Sequence, residues 1–390
     1  MDKKPEKLVP EVRFKGFTDD WEQRKLGKVA CINPKTNIPD NFKYVDLESV
    51  VGTSLIKAKL TTKQLAPSRA QRVAKKGDIF YQTVRPYQKN NFLFDINNYD
   101  FQYVFSTGYA QLRSEINNYF LFSYLQRQRF VNLILRRSTG TSYPAISSKD
   151  LSEIKIIFPR NSKEQENIGK IINLIDALIT LQQRKMEQLK QLKKAMLQQL
   201  FVNKNNKQPI LKFKNFRNNW REYKLSEIVN LEDNKRKPVK ATERIRGKIP
   251  YYGANGIQDY VKGYTHIGKH VLIAEDGANS VDDYPIYFIY SPSWINNHTH
   301  VLTAKEEILS SEFLAYALKK INYAKYLVGS GRYKLNAEIL KLIPLKIPTM
   351  NEQKYIESNL SKIDKLIALQ QNKLTQLTAL KKYLLQKLFI

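Results

Sequence analysis

The sequence predicts an α+β protein made of two similar halves, each a globular domain followed by a long helix. Three observations predict it. The segment from Glu164 to Phe201 recurs from Glu352 to Phe389, with 20 of 38 positions identical at a shift of 188 residues. The start of each half recurs at a shift of 199, and the end of each globular region recurs at a shift of 189. A repeat at a fixed offset indicates two copies of one structural unit.

The repeated landmarks lie at both ends of each globular half. The matched pairs are Phe14 and Phe213, Trp21 and Trp220, Gly140 and Gly329, Leu151 and Leu340, and Pro159 and Pro348. Between these landmarks the two halves do not align, so the middle of each half is free to differ. A scaffold that carries two separately specified recognition surfaces would give this pattern.

Composition favours a folded protein with a nucleic-acid partner. A chain of 390 residues with 42% hydrophobic residues is long enough for two or more cores. The net charge of +29 favours nucleic acid, because lysine and arginine displace counterions from phosphates. A genomic bias toward AT-rich codons is the alternative explanation of the excess lysine.

Cys31 is the only cysteine, and the sequence shows neither an apolar leader nor a membrane-length apolar run, so we expect a reducing cytoplasm.

Each globular half combines short strands with a helix. Strand patterns in the first half lie at residues 29–32, 78–81, 91–94, 103–105 and 154–158, and a helix is predicted at 120–135. In the second half, strands are predicted at 271–274, 286–290 and 345–347, a turn-rich segment at 249–256, and a helix from 310 to about 327.

The two copies of the repeated segment are predicted to be coiled-coil helices, each on the order of 55 Å long. Their inward positions alternate at spacings of four and three, which defines a packing seam. The predicted packing and partner-binding residues are Ile168, Ile172, Ile175, Ile179, Gln182, Leu189, Ile356, Leu360, Ile363, Ile367, Gln370 and Leu377. The simplest arrangement packs the two helices on each other. The alternative is that each helix pairs with a helix of another protein.

These elements divide the chain into four parts. The predicted parts are a first globular domain at 1–160, a central long helix and linker at 161–207, a second globular domain at 208–348, and a C-terminal long helix at 349–390.

No enzyme constellation stands out in the sequence. There is no P-loop, no Asn-Pro-Pro or Asp-Pro-Pro methyltransferase turn and no glycine-rich dinucleotide fingerprint. His298 and His300 alternate, so on a strand they would point the same way, but no cysteine lies near them. We therefore predict no catalytic residue, no metal site and no cofactor in this chain.

Four loops combine basic side chains with Tyr, Gln, Asn, Ser or Thr, a mixture that suits phosphates and base edges. A solvated lysine-rich loop is the alternative for any one of them, but equivalent positions in the two halves favour the set. The predicted DNA-contacting residues are Thr83, Arg85, Tyr87, Gln88, Lys89, Arg137, Thr141, Ser142, Tyr143, Lys235, Arg236, Lys237, Tyr252, Asn255, Asn279, Ser280, Arg332, Tyr333 and Lys334.

With these residues in view, the sequence resembles the specificity subunits of type I restriction–modification systems over its whole length. Two copies of a Pro/Glu-Gln element carry the resemblance, Pro159 with Glu164-Gln165 and Pro348 with Glu352-Gln353. Each copy leads into a long helix that contains Ile-Asp and Leu-Gln-Gln. The domain starts at Phe14 and Phe213 are also similar to those of the family.

The resemblance implies two target recognition domains joined by two antiparallel coiled-coil helices with pseudo-twofold symmetry. Each domain is expected to read one half of a bipartite, asymmetric site in double-stranded DNA. Two methyltransferase subunits are expected to use S-adenosylmethionine to methylate adenine, which is flipped from the duplex. Restriction (motor/nuclease) subunits are expected to add ATP- and Mg²⁺-dependent cleavage. A DNA-mimicking anti-restriction protein is a further candidate partner, and no membrane partner is expected.

Three rival interpretations remain open at this point. The chain is a stand-alone nucleic-acid-binding protein with two modules, a nuclease in its own right, or a coiled-coil assembly protein whose charge is incidental. Copurification with methyltransferase subunits, cleavage of plasmid by the chain with magnesium alone, and the salt dependence of DNA binding would separate them.

Overall fold

The computed structural model describes residues 8–202, 206–329 and 333–390. They form two compact units. Unit 1 contains the described residues up to Gln183 together with Asn372–Ile390, and unit 2 contains Arg184–Gln371 where described. Each long helix therefore contributes residues to both units.

Unit 1 is built mainly from short strands. They are β1 (Glu22–Lys25), β2 (Ala30–Ile32), β3 (Asn41–Val45), β4 (Val50–Val51), β5 (Ser54–Leu55), β6 (Lys59–Thr62), β7 (Ala70–Val73), β8 (Ile79–Gln82), β9 (Phe92–Leu93), β10 (Tyr103–Ser106), β11 (Tyr109–Ser114) and β12 (Lys155–Phe158). The strand order is β2-β11-β8-β9 in one sheet and β6-β3-β10-β7 in another, while β1 pairs with β12 and β4 with β5.

Strand β8 lies between two hydrophobic cores. Ile79 and Tyr81 pack into one core, and Phe80 packs into the other. Because successive side chains of a strand point to opposite faces, an unbroken apolar run is the sequence of a strand covered on both sides. The first half's predicted strands correspond to β2, β8, β9, β10 and β12.

The helices of unit 1 are α1 (Asn118–Leu125), α2 (Gln128–Leu135), α3 (Ser148–Ser152) and the start of the long helix α4 (Ser162–Gln199). The prediction of one continuous helix at 120–135 was wrong. Arg127 has an extended backbone, at φ −66° and ψ 142°, and separates α1 from α2. Its buried guanidinium stacks on the Tyr124 ring at 3.7 Å and donates to the Ile390 carbonyl oxygen at 2.6 Å.

Unit 2 repeats part of this plan. Its strands are β13 (Arg221–Lys224), β14 (Val229–Leu231), β15 (Arg246–Gly253), β16 (Gly256–Val261), β17 (Lys269–Ala274), β18 (Ile286–Tyr290), β19 (Trp294–Ile295), β20 (Thr299–Ala304) and β21 (Pro344–Ile347). The strand orders are β14-β20-β17-β18 and β16-β15-β19, and β13 pairs with β21. The predicted strands at 271–274, 286–290 and 345–347 correspond to β17, β18 and β21.

The remaining helices are α5 (Leu225–Ile228), α6 (Ser311–Leu318), α7 (Ala337–Leu342) and the long helix α8 (Met350–Lys387). Two predictions for this half were wrong. The segment at 249–256, predicted to be turn-rich, has a turn only at 254–255, because residues 249–253 belong to β15, which pairs with β16 as a hairpin. The helix expected from 310 to about 327 ends at Leu318, and a short 3₁₀ turn at Tyr323–Lys325 follows, with Tyr323 buried.

The two units share one sheet and differ in the other. β2-β11-β8-β9 and β14-β20-β17-β18 have the same order along the chain, whereas the second sheet has four strands in unit 1 and three in unit 2 among the described residues. This difference accounts for the middle regions that do not align. The predicted α+β class with two long helices and an internal repeat is confirmed.

Within each unit, the two long helices run antiparallel. In unit 1, Lys381 pairs with Asp176 at 2.5 Å, and Phe389 lies in the same core as Ile168. In unit 2, Lys193 pairs with Asp364 at 2.5 Å. Lys193 follows Asp176 along α4, whereas Asp364 precedes Lys381 along α8, as an antiparallel pair requires. The repeated lysine and aspartate of the sequence are therefore ion-pair partners in both units. The seam positions named above are buried or half-buried.

The end of each long helix completes the core of the unit that it enters. Phe389, from the end of the chain, packs among Trp21, Phe120 and Tyr124 of unit 1, with ring centroids 5.3–6.5 Å apart. Phe201 packs in the same way on Trp220 and Phe313 of unit 2. Each copy of the Leu-Phe pair is thus a core element. The second copy, Leu388 and Phe389, lies far in sequence from most of the unit 1 residues that it contacts.

The repeated Glu-Gln element fixes the start of each long helix. Glu164 and Glu352 accept from the indole N–H of Trp21 and Trp220, each at 3.3 Å. Gln165 accepts from the Asn117 backbone N–H at 2.9 Å, and its amide donates to the Pro159 carbonyl oxygen at 2.8 Å. Gln353 makes the equivalent contacts in unit 2. These residues anchor a helix on a sheet, so their repetition is structural.

Candidate nucleic-acid interface

In both units, isolated β-bridges join the two ends of one loop beside the shared sheet. In unit 1, Ala145 forms isolated β-bridges with Val84 and Thr139, so that a loop protrudes between 139 and 145. In unit 2, Lys334 bridges Asp276 and Val328 in the same way. Gly140 and Gly329 begin the two loops with positive φ angles of 87° and 97°, a conformation that glycine adopts without strain. The repeated glycine therefore marks the same backbone conformation at the start of each loop.

Two of the predicted DNA-contacting loops meet in unit 1. The Arg85 backbone N–H donates to the Pro144 carbonyl oxygen at 2.8 Å. The Arg85 guanidinium carbon lies 4.2 Å from the centre of the Tyr143 ring, which is 62% exposed. Thr141, Ser142 and Tyr143 are all exposed on the protruding loop. The structure thus brings together an arginine, an aromatic ring and two hydroxyls on one surface.

The other predicted residues of unit 1 differ in accessibility. Thr83 is buried, and its hydroxyl donates to the Gly108 carbonyl oxygen at 2.8 Å, so this side chain already has an internal partner. Tyr87, Gln88 and Arg137 are exposed. Lys89 is half-buried with a left-handed backbone, at φ 56°.

A cationic cleft of about 850 Å³ adjoins Lys89. Arg129, Lys381 and Lys382 also line it. None of the three is among the predicted DNA-contacting residues. Burial lowers the pKa of Lys89, and the charge of Lys381 lowers it further. Lys381 also pairs with Asp176, and Glu11 lines the cleft as well. Basic side chains still outnumber acidic ones along its lining, which favours binding of an anion such as a phosphate. Lys381 and Lys382 repeat Lys193 and Lys194 of α4. The basic residues near the end of α8 were therefore the sequence signal for this cleft.

Buried amides support the loop from beneath. The Gln82 backbone N–H donates to Asn91 Oδ1 at 2.8 Å, and Gln82 Nε2 donates to Gln88 Oε1 at 2.9 Å. Both Gln82 and Asn91 are almost completely buried. Buried polar side chains of this kind fix a loop by satisfying its groups locally. They escaped the sequence analysis because they flank an apolar strand.

In unit 2, predicted residues converge on one carboxylate. Arg236 Nη1 donates to Glu275 Oε2 at 2.7 Å, and Lys334 Nζ lies 3.0 Å from Glu275 Oε1. Burial opposes ionisation of Glu275, but the hydrogen bonds from Arg236 and Lys334 hold its pKa below the ordinary value. Arg236 also pairs with Asp233 at 3.3 Å. The guanidinium of Arg236 is therefore engaged within the protein.

Asparagine side chains hold the neighbouring loop. Asn255 Nδ2 donates to the Gly277 carbonyl oxygen, and Asn255 Oδ1 accepts from the Asn279 backbone N–H, both at 2.9 Å. Lys237 and Tyr333 are exposed, and Tyr252 and Ser280 are half-buried. Lys235 is exposed and pairs with Glu232. Arg332 lies outside the described residues. The DNA-contacting role of the whole set remains a prediction.

The histidines considered for a metal site have separate partners. His298 Nδ1 lies 2.5 Å from Asp276, and His300 Nδ1 lies 2.5 Å from Asp233. Asp233, Glu275 and His300 bring ligand atoms within 4.8 Å of one another. However, Arg236 contacts both carboxylates, so a guanidinium already balances their charge. The arrangement favours an internal ion-pair network over a cation site.

Among the described residues, no helix combines the length and apolarity needed to cross a membrane.

Comparison with known proteins agrees with this architecture. A putative type I restriction enzyme specificity subunit of Haemophilus influenzae is 48% identical over 129 residues, which is 33% of either protein. The MjaVIII specificity subunit of Methanocaldococcus jannaschii is 24% identical over 282 residues, which is 65% of either protein. The matched regions thus span between one third and two thirds of the length of these relatives.

Solved structures extend the similarity of fold to the whole chain. The crystal structure of a type I restriction-modification system S subunit from M. genitalium covers 98% of this chain and 99% of its own, with a TM-score of 0.73 at 19% identity. A chain from a structure on complex assembly of the type I R-M system matches with a TM-score of 0.52 at 21% identity. In sequence, residues 18–191 and 217–379 each match the type I restriction modification DNA specificity domain. The chain therefore belongs to the type I restriction modification DNA specificity domain family.

Proposed function

We propose that this chain is the DNA sequence-recognition subunit of a type I restriction–modification complex and reads a bipartite, asymmetric site, one half with each unit. It contributes no catalysis and binds no cofactor. Partner subunits use S-adenosylmethionine to methylate adenine, and ATP and Mg²⁺ to cleave DNA. The family membership makes this function the leading one.

One observation carries the proposal. The two units have the same bridges at the ends of a loop beside the shared sheet, yet the neighbouring side chains differ: Arg85 and Tyr143 meet in unit 1, whereas Lys334 and Arg236 meet on Glu275 in unit 2. A constant frame with different side chains suits two readers of different DNA sequences, because frames position a protein on DNA and side chains specify bases.

Exchange of the variable region tests independent reading. Residues 21–159 are replaced by the equivalent region of a relative, and methylated adenines are mapped in cells that carry the chimaera. We expect one half of the recognised site to change while the other half is retained. A change in both halves would contradict independent reading.

The long helices carry a repeated apolar surface suited to two copies of one partner. Leu178, Leu181 and Leu192 on α4 recur as Leu366, Leu369 and Leu380 on α8 at the shift of 188, and each is 37–49% exposed. Repeated exposed leucines indicate an interaction surface, because soluble proteins that act alone rarely expose a continuous apolar stripe to solvent. We assign it to two methyltransferase subunits.

Copurification tests this surface and the stand-alone alternative together. Leu181→Glu and Leu369→Glu are each expected to remove one of two copurifying methyltransferase subunits, and the double variant both. Gln183→Glu is the matched control, because it adds the same charge at an exposed site on α4. A wild-type chain that binds its bipartite site without any methyltransferase subunit would favour the stand-alone binding protein.

A further inference from the structure

We propose that Arg85 reads a guanine in the half-site bound by unit 1, through the O6 and N7 acceptors of the base edge. This inference rests on the proposed function and names a specificity-determining contact within it. Three features of Arg85 support it: its backbone conformation, its unused donors and its restrained guanidinium.

The backbone of Arg85 is left-handed, at φ 53° and ψ 55°. The equivalent place in unit 2 follows from the shared loop: Val84 and Asp276 bridge the same loop position, and the next residue there is Gly277, at φ 68°. Glycine adopts this conformation freely, whereas a residue with a Cβ atom is strained in it. An arginine retained where the fold accepts glycine points to a function of its side chain.

Among the residues that the structure describes, none accepts a hydrogen bond from the guanidinium of Arg85 or forms an ion pair with it. Arg236, by contrast, binds two carboxylates, and Arg113 binds Asp78 through two nitrogens. Arg85 is half-buried beside an exposed loop, so part of its solvation is lost. Its donors have no compensating acceptor among the described residues. Such a group gains from an external acceptor pair.

A cation–π contact restrains the guanidinium. Its carbon lies 4.2 Å from the Tyr143 ring centre, and the Arg85 backbone N–H donates to the Pro144 carbonyl oxygen. A planar guanidinium restrained in this way matches two neighbouring acceptors, which guanine offers in the major groove. Phosphate also offers two acceptors, but it can be bound by flexible lysines such as Lys89. The experiment must therefore separate base from phosphate.

The test uses the full chain in complex with its methyltransferase subunits, and a duplex that contains its mapped site. Binding is measured for the wild type, Arg85→Ala, Arg85→Lys and Arg85→Gly. Each is tested on the normal duplex and on duplexes in which one guanine of the half-site is 7-deazaguanine, which lacks the N7 acceptor. Arg85→Lys keeps the charge but loses the fork. Arg85→Gly relieves the strained backbone, so it serves as the variant that remains folded.

We expect each Arg85 variant to weaken binding about 5- to 100-fold and to relax discrimination at one base pair. The 7-deazaguanine duplex should weaken wild-type binding, yet have little further effect on Arg85→Ala, since both changes remove one contact. Arg85→Gly should also raise the melting temperature by about 2 °C.

Three results would overturn the assignment. Equal loss on all sequences, with a smaller salt dependence, would identify a phosphate contact. Undiminished specificity in Arg85→Ala would remove Arg85 from recognition while leaving the proposed function intact. A wild-type complex without any sequence preference would overturn the proposed function, and the guanine contact with it.

Discussion

Replacement of Phe389 by alanine should unfold unit 1 preferentially, although this residue lies next to the end of the chain. The side chain is 4% exposed, and its ring lies 5.3 Å from Phe120 and 6.0 Å from Tyr124. Loss of a fully buried phenylalanine costs about 3–5 kcal/mol, from transfer and cavity terms together. For a unit of this size, that loss corresponds to a fall in melting temperature of roughly 10 °C.

Hydrogen exchange read by mass spectrometry would locate the effect. In Phe389→Ala, α1 and β8 should lose protection, whereas α6 and β17 should keep theirs. Phe201→Ala is the matched control, because Phe201 makes the equivalent contacts with Trp220 and Phe313 in unit 2. It should produce the reverse pattern. Phe389→Leu retains most of the apolar volume and should recover over half of the lost stability.

The reasoning fails if Phe389→Ala leaves α1 fully protected, because the last turn of α8 would then contribute nothing to the core of unit 1. It also fails if the variant exposes α6 as strongly as α1, because the contacts of Phe389 lie within unit 1 alone.

The other expectations concern the long helices. Gly169→Ala should cost about 2 kcal/mol in chemical unfolding, because the new Cβ atom would lie 2.6 Å from a backbone nitrogen of α1, and an unchanged midpoint would refute it. Burial raises the pKa of Glu357, so its contribution to stability is full below the ordinary glutamate pKa and falls as the pH rises through the raised one. Glu357→Gln should flatten this part of the stability–pH curve, and an unaltered slope would contradict the assignment. Ile175→Asp with Ile363→Asp should abolish packing of the helices and copurification of partners, whereas exposed Asn173→Asp should not; normal assembly of the double variant would refute the packing.

Sequence repetition predicted the scaffold because residues repeated in the sequence make equivalent contacts in the two units. Trp21 and Trp220 donate to equivalent glutamates, Glu164 and Glu352, at the starts of the two long helices. The repeated lysines likewise pair with equivalent aspartates, Lys193 with Asp364 and Lys381 with Asp176. Periodicity in the long helices reports burial directly, so their extent was predictable from spacing alone.

The details that escaped prediction depend on contacts distant in sequence. At the break between α1 and α2, Arg127 donates to the carbonyl oxygen of Ile390, a residue distant in sequence. At the place where unit 1 has Gly169, unit 2 has Glu357, whose carboxylate accepts from the Phe313 N–H at 3.1 Å and caps α6. No local pattern announces that exchange. The sequence identifies the loops as basic segments, and their DNA-contacting role stays a prediction. Only the three-dimensional contacts show that Arg236 is paired with two carboxylates, unlike Arg85 among the described residues.

The placement of Leu388 and Phe389 has a consequence for shortened forms of the gene. A polypeptide that stopped after Val202 would expose the cavity that Phe389 normally fills, while its own Leu200 and Phe201 would have nothing to fill. The vacancy and the surplus involve the same residue types, because each copy of the repeated segment ends in Leu-Phe and each pair is buried in a core. Two such half-length molecules are expected to insert their Leu-Phe ends into each other's vacant cavity, and the resulting homodimer would carry two copies of unit 1 where this chain carries unit 1 and unit 2.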